Sequence, residues 1–438
     1  MDGKEKAFNR WLVVVGAVLI QLALGAIYAW SVFTKALTEP PYGFSVPETQ
    51  AVFSAGLFTF AVVMIFAGIQ MKKYGPRKMA MAGGIVLGSG YVLASFFGTN
   101  FPMQLLLIGV VGGTGIGLAY VVPISVGMKW FPDKKGLISG LAVAGFGFGA
   151  MIWVKVADEW FRLIENFGVQ TVFLWYGIAF AAMVLVGSIW MVNPPEGYRV
   201  KGAKEEKAGS KGQETGCEAE WRQMLRKSSF WVIWIIFIFS GMAGLMVIGN
   251  IKLFGIDALQ AGGMGVAEAG IAAGTAMAWY AILNGLGRIA WGKVSDSIGP
   301  GISLFLMCTV QGILMLTLFS GANSTLMLIV YASAIGFNFG GNFALFPVAT
   351  SKLFGVRNVG SNYPFIFTAY GIAGIAGPML GGFVRQSSGS FLWAFIPAGV
   401  ACLAGAGLAL TIVMAERKSG KADGEAKPKA RAKGKRKK

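Results

Sequence analysis

Arg288 is the one charged residue that lies well inside any of the long apolar stretches of this chain, and no Asp or Glu is interior to them. A charged side chain at such depth in a membrane is energetically costly and marks a functional site by default. The guanidinium is permanently protonated, and its planar fork matches a carboxylate through two charge-assisted hydrogen bonds. Because no internal acid neutralises it, a mobile anionic substrate is its natural counter-ion.

Asn284 precedes Arg288 by one helical turn, so both side chains share one helix face and Asn284 can donate a hydrogen bond to the same anion. An alternative is that Arg288 extends to the membrane surface, because Lys293 is only five residues further, about 7.5 Å along a helix. The chain has no His and three widely separated Cys. It therefore excludes His-based catalysis and supports neither a zinc site nor a disulfide framework, so we expect no metal and no cofactor.

The composition of the whole chain decides the environment in which such an arginine would work. Of the 438 residues, 55% are hydrophobic and only 13% are charged, whereas a soluble globular chain carries about 25% charged residues. These proportions exclude a soluble enzyme and a disordered protein, and they predict an all-α membrane protein. Twelve apolar stretches of about 20 residues can each cross a hydrocarbon core of ~30 Å as a helix. They are 11–33, 51–71, 79–98, 103–126, 136–157, 171–192, 229–251, 268–291, 301–320, 325–347, 360–384 and 391–414.

The Lys and Arg residues predict how these spans are oriented. With the N-terminus in the cytoplasm, 32 of the 38 fall on the cytoplasmic side and five on the outer side, as the positive-inside rule requires. Both termini are therefore expected to be cytoplasmic, and the membrane is expected to be the cell (inner or plasma) membrane. The linker 193–228 and the basic tail 416–438 are Lys-rich and expected to be flexible. We expect the tail to touch lipid headgroups and not to bind nucleic acid.

Two halves of six spans, 1–192 and 229–415, are related by a repeat at an offset near 224 residues. Each match alone is weak, but their common order along the chain supports the repeat. Parallel half-repeats with a binding site at their interface are a transporter architecture. The matching pairs are Gly68 with Gly292, Gly75 with Gly299, Gly117 with Gly341, and Pro123 with Pro347.

The turn between spans two and three resembles the signature loop of the major facilitator superfamily, G-x-x-x-D-[RK]-x-G-R-[RK], and a second copy follows span eight. In that family the loop acid and its cationic partners hold the cytoplasmic ends of the halves together in the outward-facing state. The resemblance implies this role for Asp296, whereas Lys72 replaces the family's Asp and the first lock must differ. An alternative is a basic turn that only fixes topology. The residues implicated in gating are Gly68, Lys73, Gly75, Arg77, Gly292, Asp296 and Gly299.

Five segments spread over nearly the whole chain resemble the oxalate/formate antiporter family, which is related to the monocarboxylate transporters. They are residues 25–33, 112–123, 129–140, 284–296 and 354–365. The resemblance implies that Arg288 binds the substrate carboxylate. In proton-coupled relatives an Asp typically stands where this chain has Asn284, and Asn cannot carry a proton. The oxalate exchanger has a second cation where this chain has Tyr370, so the single remaining cation favours a monocarboxylate.

Aromatic residues of the predicted cavity are the remaining candidates for substrate binding. The resemblance implies that spans one, four, seven and ten line that cavity. Tyr hydroxyls there can hydrogen-bond a further oxygen of the substrate while the rings shape the pocket. The alternative for each residue is ordinary packing against helices or lipid. The candidates are Tyr28, Tyr120, Phe343, Phe367 and Tyr370.

The sequence therefore predicts a secondary carrier that moves a small organic monocarboxylate, such as lactate, pyruvate or formate, by rocking two six-span halves about a central site. The second candidate is an oxalate/formate-type exchanger that handles a dicarboxylate. The absence of interior Asp, Glu and His disfavours a membrane-embedded enzyme, and the half-repeat disfavours a channel or receptor. Expected partners are the substrate anion, the lipid bilayer and a co-transported proton or counter-anion, and the carrier is expected to be a monomer.

Overall fold

The computed structural model describes residues 9–195, 198, 218–388 and 390–434. Within these ranges the chain forms helices and no strands, as the apolar composition predicts. Twelve long helices, named α1 to α12, account for the twelve predicted spans. Their bounds are α1 Trp11–Leu24, α2 Val46–Tyr74, α3 Pro76–Phe97, α4 Gly113–Trp130, α5 Lys135–Lys155, α6 Leu163–Ser188, α7 Ser228–Ala261, α8 Val266–Ile298, α9 Pro300–Gly321, α10 Thr325–Phe354, α11 Val359–Ser388 and α12 Leu392–Gly434.

Most of these helices are long and apolar enough to cross a membrane. Eleven candidate spans are found among the described residues, and the remaining predicted span, 360–384, falls in α11, a helix of 30 residues. The first predicted span, 11–33, is not one continuous α-helix. Beyond α1 the chain tightens into a 3₁₀ segment, Gly25–Ala29, and then resumes as a short α-helix, Ser31–Thr38.

The helices extend further than the sequence predicts at the two repeated turns. Lys72 and Asp296, which lie beyond the predicted spans 51–71 and 268–291, are inside α2 and α8, and the chain turns only at Gly75 and Gly299. These two glycines have φ values of 81° and 86°, a left-handed conformation that favours glycine at a helix end. Each is followed by a proline in the first turn of the next helix. The last helix, α12, continues through the predicted basic tail as far as Gly434.

The helices form two groups whose main mutual contacts are α5 with α8 and α2 with α11. We call the end of the bundle that carries Gly75, Gly299 and residues 218–224 the linker end. Residues 196, 197 and 199–217 of the predicted linker lie outside the described residues. The first of these contacts packs the middle of α8 against α5, and Arg288 lies in that part of α8.

Candidate substrate-binding site

Arg288 is completely buried on α8, with 0% of its surface exposed. Its Nη1 donates to the carbonyl oxygen of Val143 on α5 at 2.8 Å. Its Nε and Nη2 donate to Oδ1 of Asn284 at 3.2 and 3.0 Å. The guanidinium therefore points into the seam between the two halves, and it does not extend to the surface as the alternative interpretation held.

Two phenylalanine rings flank the guanidinium from opposite halves. The ring of Phe343 on α10 lies 4.1 Å from the guanidinium carbon, and the ring of Phe146 on α5 lies 5.8 Å away. Such cation–π contacts stabilise a desolvated cation by about 2 kcal/mol each. They soften the cost of burying Arg288 without supplying a negative charge.

The buried charge of Arg288 has no counter-charge within the described part of the chain. Among the described residues, no carboxylate forms an ion pair with it. A guanidinium has five N–H donors, of which three have protein acceptors here. Two N–H groups thus remain for a ligand, which is the number that a bidentate carboxylate requires.

Asn284 positions the guanidinium from one turn below. Its Oδ1 accepts both bonds from Arg288, and its Nδ2 donates to the carbonyl of Gly336 on α10 at 3.3 Å. In this arrangement both ends of the Asn284 amide have protein partners. Nδ2 carries a second N–H group, so the direct bond from Asn284 to an anion, expected from the sequence, stays a prediction.

Among the described residues, five tyrosine hydroxyls lie close enough to the guanidinium to interact with it electrostatically: those of Tyr28, Tyr120, Tyr280, Tyr363 and Tyr370. The hydroxyls of Tyr28 and Tyr370 hydrogen-bond each other and so join the two halves across the seam. The hydroxyls of Tyr120 and Tyr363 are buried and have no hydrogen-bond partner among the described residues. The site thus combines one unpaired cation with two unpaired hydroxyls.

Phe367 on α11 is the centre of the aromatic cluster that fills the seam. Its ring centroid lies 5.4 Å from that of Tyr120, 5.0 Å from that of Tyr370 and 5.7 Å from that of Tyr363. Phe343 lies 6.5 Å away. Phe367 is itself 1% exposed, so the cluster closes over the site. The structure brings all seven residues of the predicted binding site together around Arg288.

At the linker end the halves meet through two glycine pairs related by the repeat. Gly68 of α2 packs on the backbone of Gly360 in α11, and Gly292 of α8 packs on the backbone of Gly136 in α5. A Cβ atom added at Gly68, Gly136 or Gly292 would collide with the opposing carbonyl. Both pairs follow the 224-residue offset, so the two closures are equivalent in backbone packing.

Asp296 connects the halves at one of these closures. Its carboxylate accepts the backbone N–H groups of Gly136 and Leu137 at 2.7 and 2.8 Å. These are unpaired donors of the first turn of α5, where the helix dipole favours a negative charge. Asp296 of α8 thus caps a helix of the other half.

The chain as a whole matches known membrane transporters. A family model described as Major Facilitator Superfamily matches residues 7–274 and 263–437. The chain belongs to the major facilitator superfamily. It is 31% identical to YhjX of Escherichia coli (strain K12), described as an uncharacterised MFS-type transporter, over 84% of this chain and 86% of that protein.

Two further relatives of this chain are named after the organic anions that they carry. The oxalate:formate antiporter of Oxalobacter formigenes is 26% identical, over 87% of this chain and 86% of that protein. The apicoplast pyruvate carrier 1 of Toxoplasma gondii is 24% identical, over 83% and 81%. Among solved structures, the E. coli fucose:proton symporter FucP has a TM-score of 0.66 at 16% identity, covering 91% of this chain and 98% of that one. It shares the fold.

The first copy of the superfamily's signature loop forms different contacts from the second. Lys72 lies at the position equivalent to Asp296, and its Nζ lies 3.4 Å from Oε1 of Glu220. Lys73 lies over the ring of Tyr74, and Arg77 donates to the carbonyl of Ile189 at 2.5 Å. These last two contacts stay within one half.

Residues 218–220, near the end of the predicted linker, contact the start of α11. Asn358 and Asn362 donate side-chain N–H groups to the carbonyl of Ala219 at 3.1 and 2.9 Å, and the Glu218 carboxylate accepts the backbone N–H of Arg357 at 3.3 Å. The start of α11 is therefore tied to residues 218–220. Sequence reasoning predicted a different first lock but did not identify these residues.

Sequence analysis also missed Val143, Phe146 and Tyr363. The carbonyl of Val143 could not be found from residue type, because any residue offers the same acceptor. Phe146 and Tyr363 were open to prediction, since each is an aromatic residue in or beside a segment of the repeat. Their burial and the unpaired hydroxyl of Tyr363 appear only once the halves are packed.

Proposed function

We propose that this chain is a secondary active transporter of small organic monocarboxylates, and that Arg288 binds the carboxylate. The observation that carries the proposal is a fully buried cation at the seam of two halves with two unused N–H groups. A charge held there without a counter-ion is costly in a membrane. A bound carboxylate offsets that cost and accepts both N–H groups.

Alternating access follows from the position of the site. Arg288 is held by residues of both halves, and the linker end is closed by the glycine pairs and by Asp296. Substrate binding between the halves would draw them together at one end and release them at the other. The repeat supplies two equivalent closures for such rocking.

The class of substrate is supported by the charge count of the site and by the names of the relatives. One cation matches one carboxylate, and Tyr370 lies where a second cation would favour a dicarboxylate. The relatives named above include a pyruvate carrier and an oxalate:formate antiporter. Lactate, pyruvate and formate are the substrates that we favour, and a dicarboxylate exchanger remains the second candidate because of the antiporter's similarity.

The remaining expectations belong to the same proposal. Both termini lie on the cytoplasmic side of the cell (inner or plasma) membrane. The carrier is a monomer with one binding site. Because Asn284 cannot carry a proton, coupling to a proton through that residue is disfavoured. A counter-anion, or a proton bound elsewhere, completes the cycle.

Uptake of labelled L-lactate, formate and oxalate into proteoliposomes tests the proposal. We expect monocarboxylate uptake by the wild type and its loss in Arg288→Ala and Arg288→Lys, because Lys lacks the planar fork. Lys293→Ala is the matched control, since Lys293 is an exposed cation on the same helix. An inward proton gradient reveals symport, and preloaded unlabelled anion reveals exchange. Unchanged uptake by Arg288→Ala would contradict the binding site.

A further inference from the structure

We propose that the cavity between the two halves at the linker end is a second binding site, which takes a phosphate group. Its volume is about 650 Å³, and Arg288 is not among the residues that line it. The site therefore differs from the one in the proposed function and does not rest on it. It lies at the closure between α2 and α11, where Lys72 replaces the acid of the superfamily's signature loop.

The closure between α5 and α8 shows what the chain provides at the equivalent position. There the Asp296 carboxylate accepts two backbone N–H groups from the first turn of α5. The 224-residue offset places Lys72 at the position of Asp296, and Gly360 and Ser361 at the positions of the two donors. A cation therefore stands where the other closure has an anion, at a helix end that favours negative charge.

The first turn of α11 keeps a donor that no protein group accepts. The N–H of Ser361 bonds to the carbonyl of Asn358 at 3.0 Å, whereas that of Gly360 has no partner among the described residues. The hydroxyl of Ser125 on α4 is buried and also lacks a partner in this part of the chain. Its Oγ is 2.8 Å from the point that a Cβ atom on Gly360 would occupy. Unused donors from both halves thus meet beside Gly360, which lines the cavity.

Cations from both halves surround the same cavity. Three cations and two acids line it, which leaves one net positive charge. The cations are Lys72, Lys129 and Arg357, and the acids are Glu218 and Glu220. The Nζ of Lys72 lies 3.4 Å from Oε1 of Glu220, but the side chains are 49% and 63% exposed, and such an exposed pair is weak. The Nζ of Lys129 donates to the neutral Oδ1 of Asn193 at 3.0 Å, and this bond does not neutralise its charge.

A phosphate group fits these donors better than a carboxylate does. Its oxygens point in four directions, so they can accept from the ammonium groups of one half and from the Gly360 N–H of the other at once. The oxygens of a carboxylate lie in one plane. Phosphate also carries more negative charge, and helix N-termini bind it through backbone N–H groups. The bound phosphate would hold the halves together at the linker end, as Asp296 does at the other closure.

Thermal unfolding of the purified full chain, in detergent without phospholipid, tests the site. Inorganic phosphate is titrated while chloride keeps the ionic strength constant. We expect a saturable rise in melting temperature with phosphate, and a smaller rise with acetate. Short-chain phosphatidylglycerol forms a second arm of the experiment. A rise at lower concentrations of this lipid than of phosphate identifies a lipid headgroup as the source of the phosphate group, and its absence identifies phosphate in solution.

Lys72→Asp restores the acid of the other closure and should fill the site from within. We expect its half-saturating phosphate concentration to be at least about tenfold higher, because repulsion replaces a charge-assisted hydrogen bond. Lys73→Asp is the matched control. It makes the same charge change one residue away, where the side chain lies over the ring of Tyr74 within one half. It should change the half-saturating concentration by less than about twofold, because solvent screens an exposed charge.

The outcomes decide the proposal even where one variant fails. Equal effects of Lys72→Asp and Lys73→Asp, no saturable shift in the wild type, or equal shifts with phosphate and acetate would overturn it. If Lys72→Asp does not fold, Lys129→Gln takes its place with the same expected loss, and unchanged phosphate binding would overturn the site. The phosphate shift should persist in Arg288→Met. Its loss there would place the phosphate at Arg288 and overturn the proposal.

Discussion

Neutralising Asp296 should open the linker end of the carrier. The Asp296 carboxylate accepts two backbone N–H groups at the start of α5, in the opposite half, at 2.7 and 2.8 Å. Asp296→Asn keeps one acceptor oxygen but removes the charge and places an N–H₂ group against the second donor. The variant therefore weakens a contact that exists only while the linker end is closed.

The size of the effect follows from this geometry. Hydrogen bonds to a charged group contribute about 1.5–3 kcal/mol each, and a charge at a helix N-terminus adds about 0.3–1 kcal/mol when exposed. Asp296 is exposed and Asn keeps one bond, so we expect a net loss of about 1–2 kcal/mol. That loss shifts the equilibrium between closed and open linker ends about 5- to 30-fold towards open.

Double electron–electron resonance between two spin labels measures this shift in the populations of closed and open linker ends. Labels at Lys134→Cys and Lys293→Cys report the separation of the halves at the linker end, in a Cys217→Ser background. Cys308 and Cys402 are buried and need no replacement. We expect the long-distance population to grow in Asp296→Asn and to grow further in Asp296→Ala, which has no acceptor.

The control for this experiment is a second carboxylate at the same end. Asp133 forms an ion pair with Arg10 at 3.2 Å within one half, so Asp133→Asn should leave the distance distribution unchanged. An unchanged distribution in Asp296→Asn would refute the closing role of Asp296. A shift of equal size in Asp133→Asn would show that charge at this end, and not the contact between halves, sets the equilibrium.

Two further predictions concern closure and selectivity. Gly292→Leu should reduce the transport rate at least tenfold while substrate binding persists, because the leucine side chain would collide with the backbone of Gly136. Uptake and equilibrium binding of substrate are measured for this variant. The control is Gly274→Leu, whose side chain would point into open space on the same helix. Full transport by Gly292→Leu would contradict close packing at the linker end. Tyr370→Lys adds a second cation beside Arg288, so oxalate should raise its melting temperature and inhibit its uptake of lactate, and absence of both effects would contradict the charge-matching argument.

The fold could be predicted well because several independent sequence patterns along the chain indicate the same architecture. Long apolar stretches, the Gly68/Gly292 and Gly75/Gly299 matches and the signature loops each indicated a helical two-half carrier. Element boundaries were less accurate. The predicted spans ended before Lys72 and Asp296, whereas in the structure these polar residues continue their helices until a glycine with positive φ ends each one.

The sequence predicted which residues would surround Arg288, but it did not predict their contacts. Arg288 stood out because one charge in an apolar stretch is conspicuous. The sequence offered Asn284 as a direct ligand, and the structure uses both ends of its amide to hold Arg288 and α10. Such choices depend on which backbone carbonyls come near. Residue type alone carries no information about Val143 or Gly336 as acceptors.

The central claim is that Arg288 is kept buried for the sake of a carboxylate, and thermal unfolding of purified protein tests it most directly. A ligand at 100 times its Kd stabilises the folded state by about 2.7 kcal/mol. We predict that L-lactate raises the melting temperature of the wild type. Arg288→Met should melt at the same or a higher temperature without ligand, because an uncompensated buried charge is gone, and lactate should not shift it. A lactate shift that persists in Arg288→Met would contradict the account.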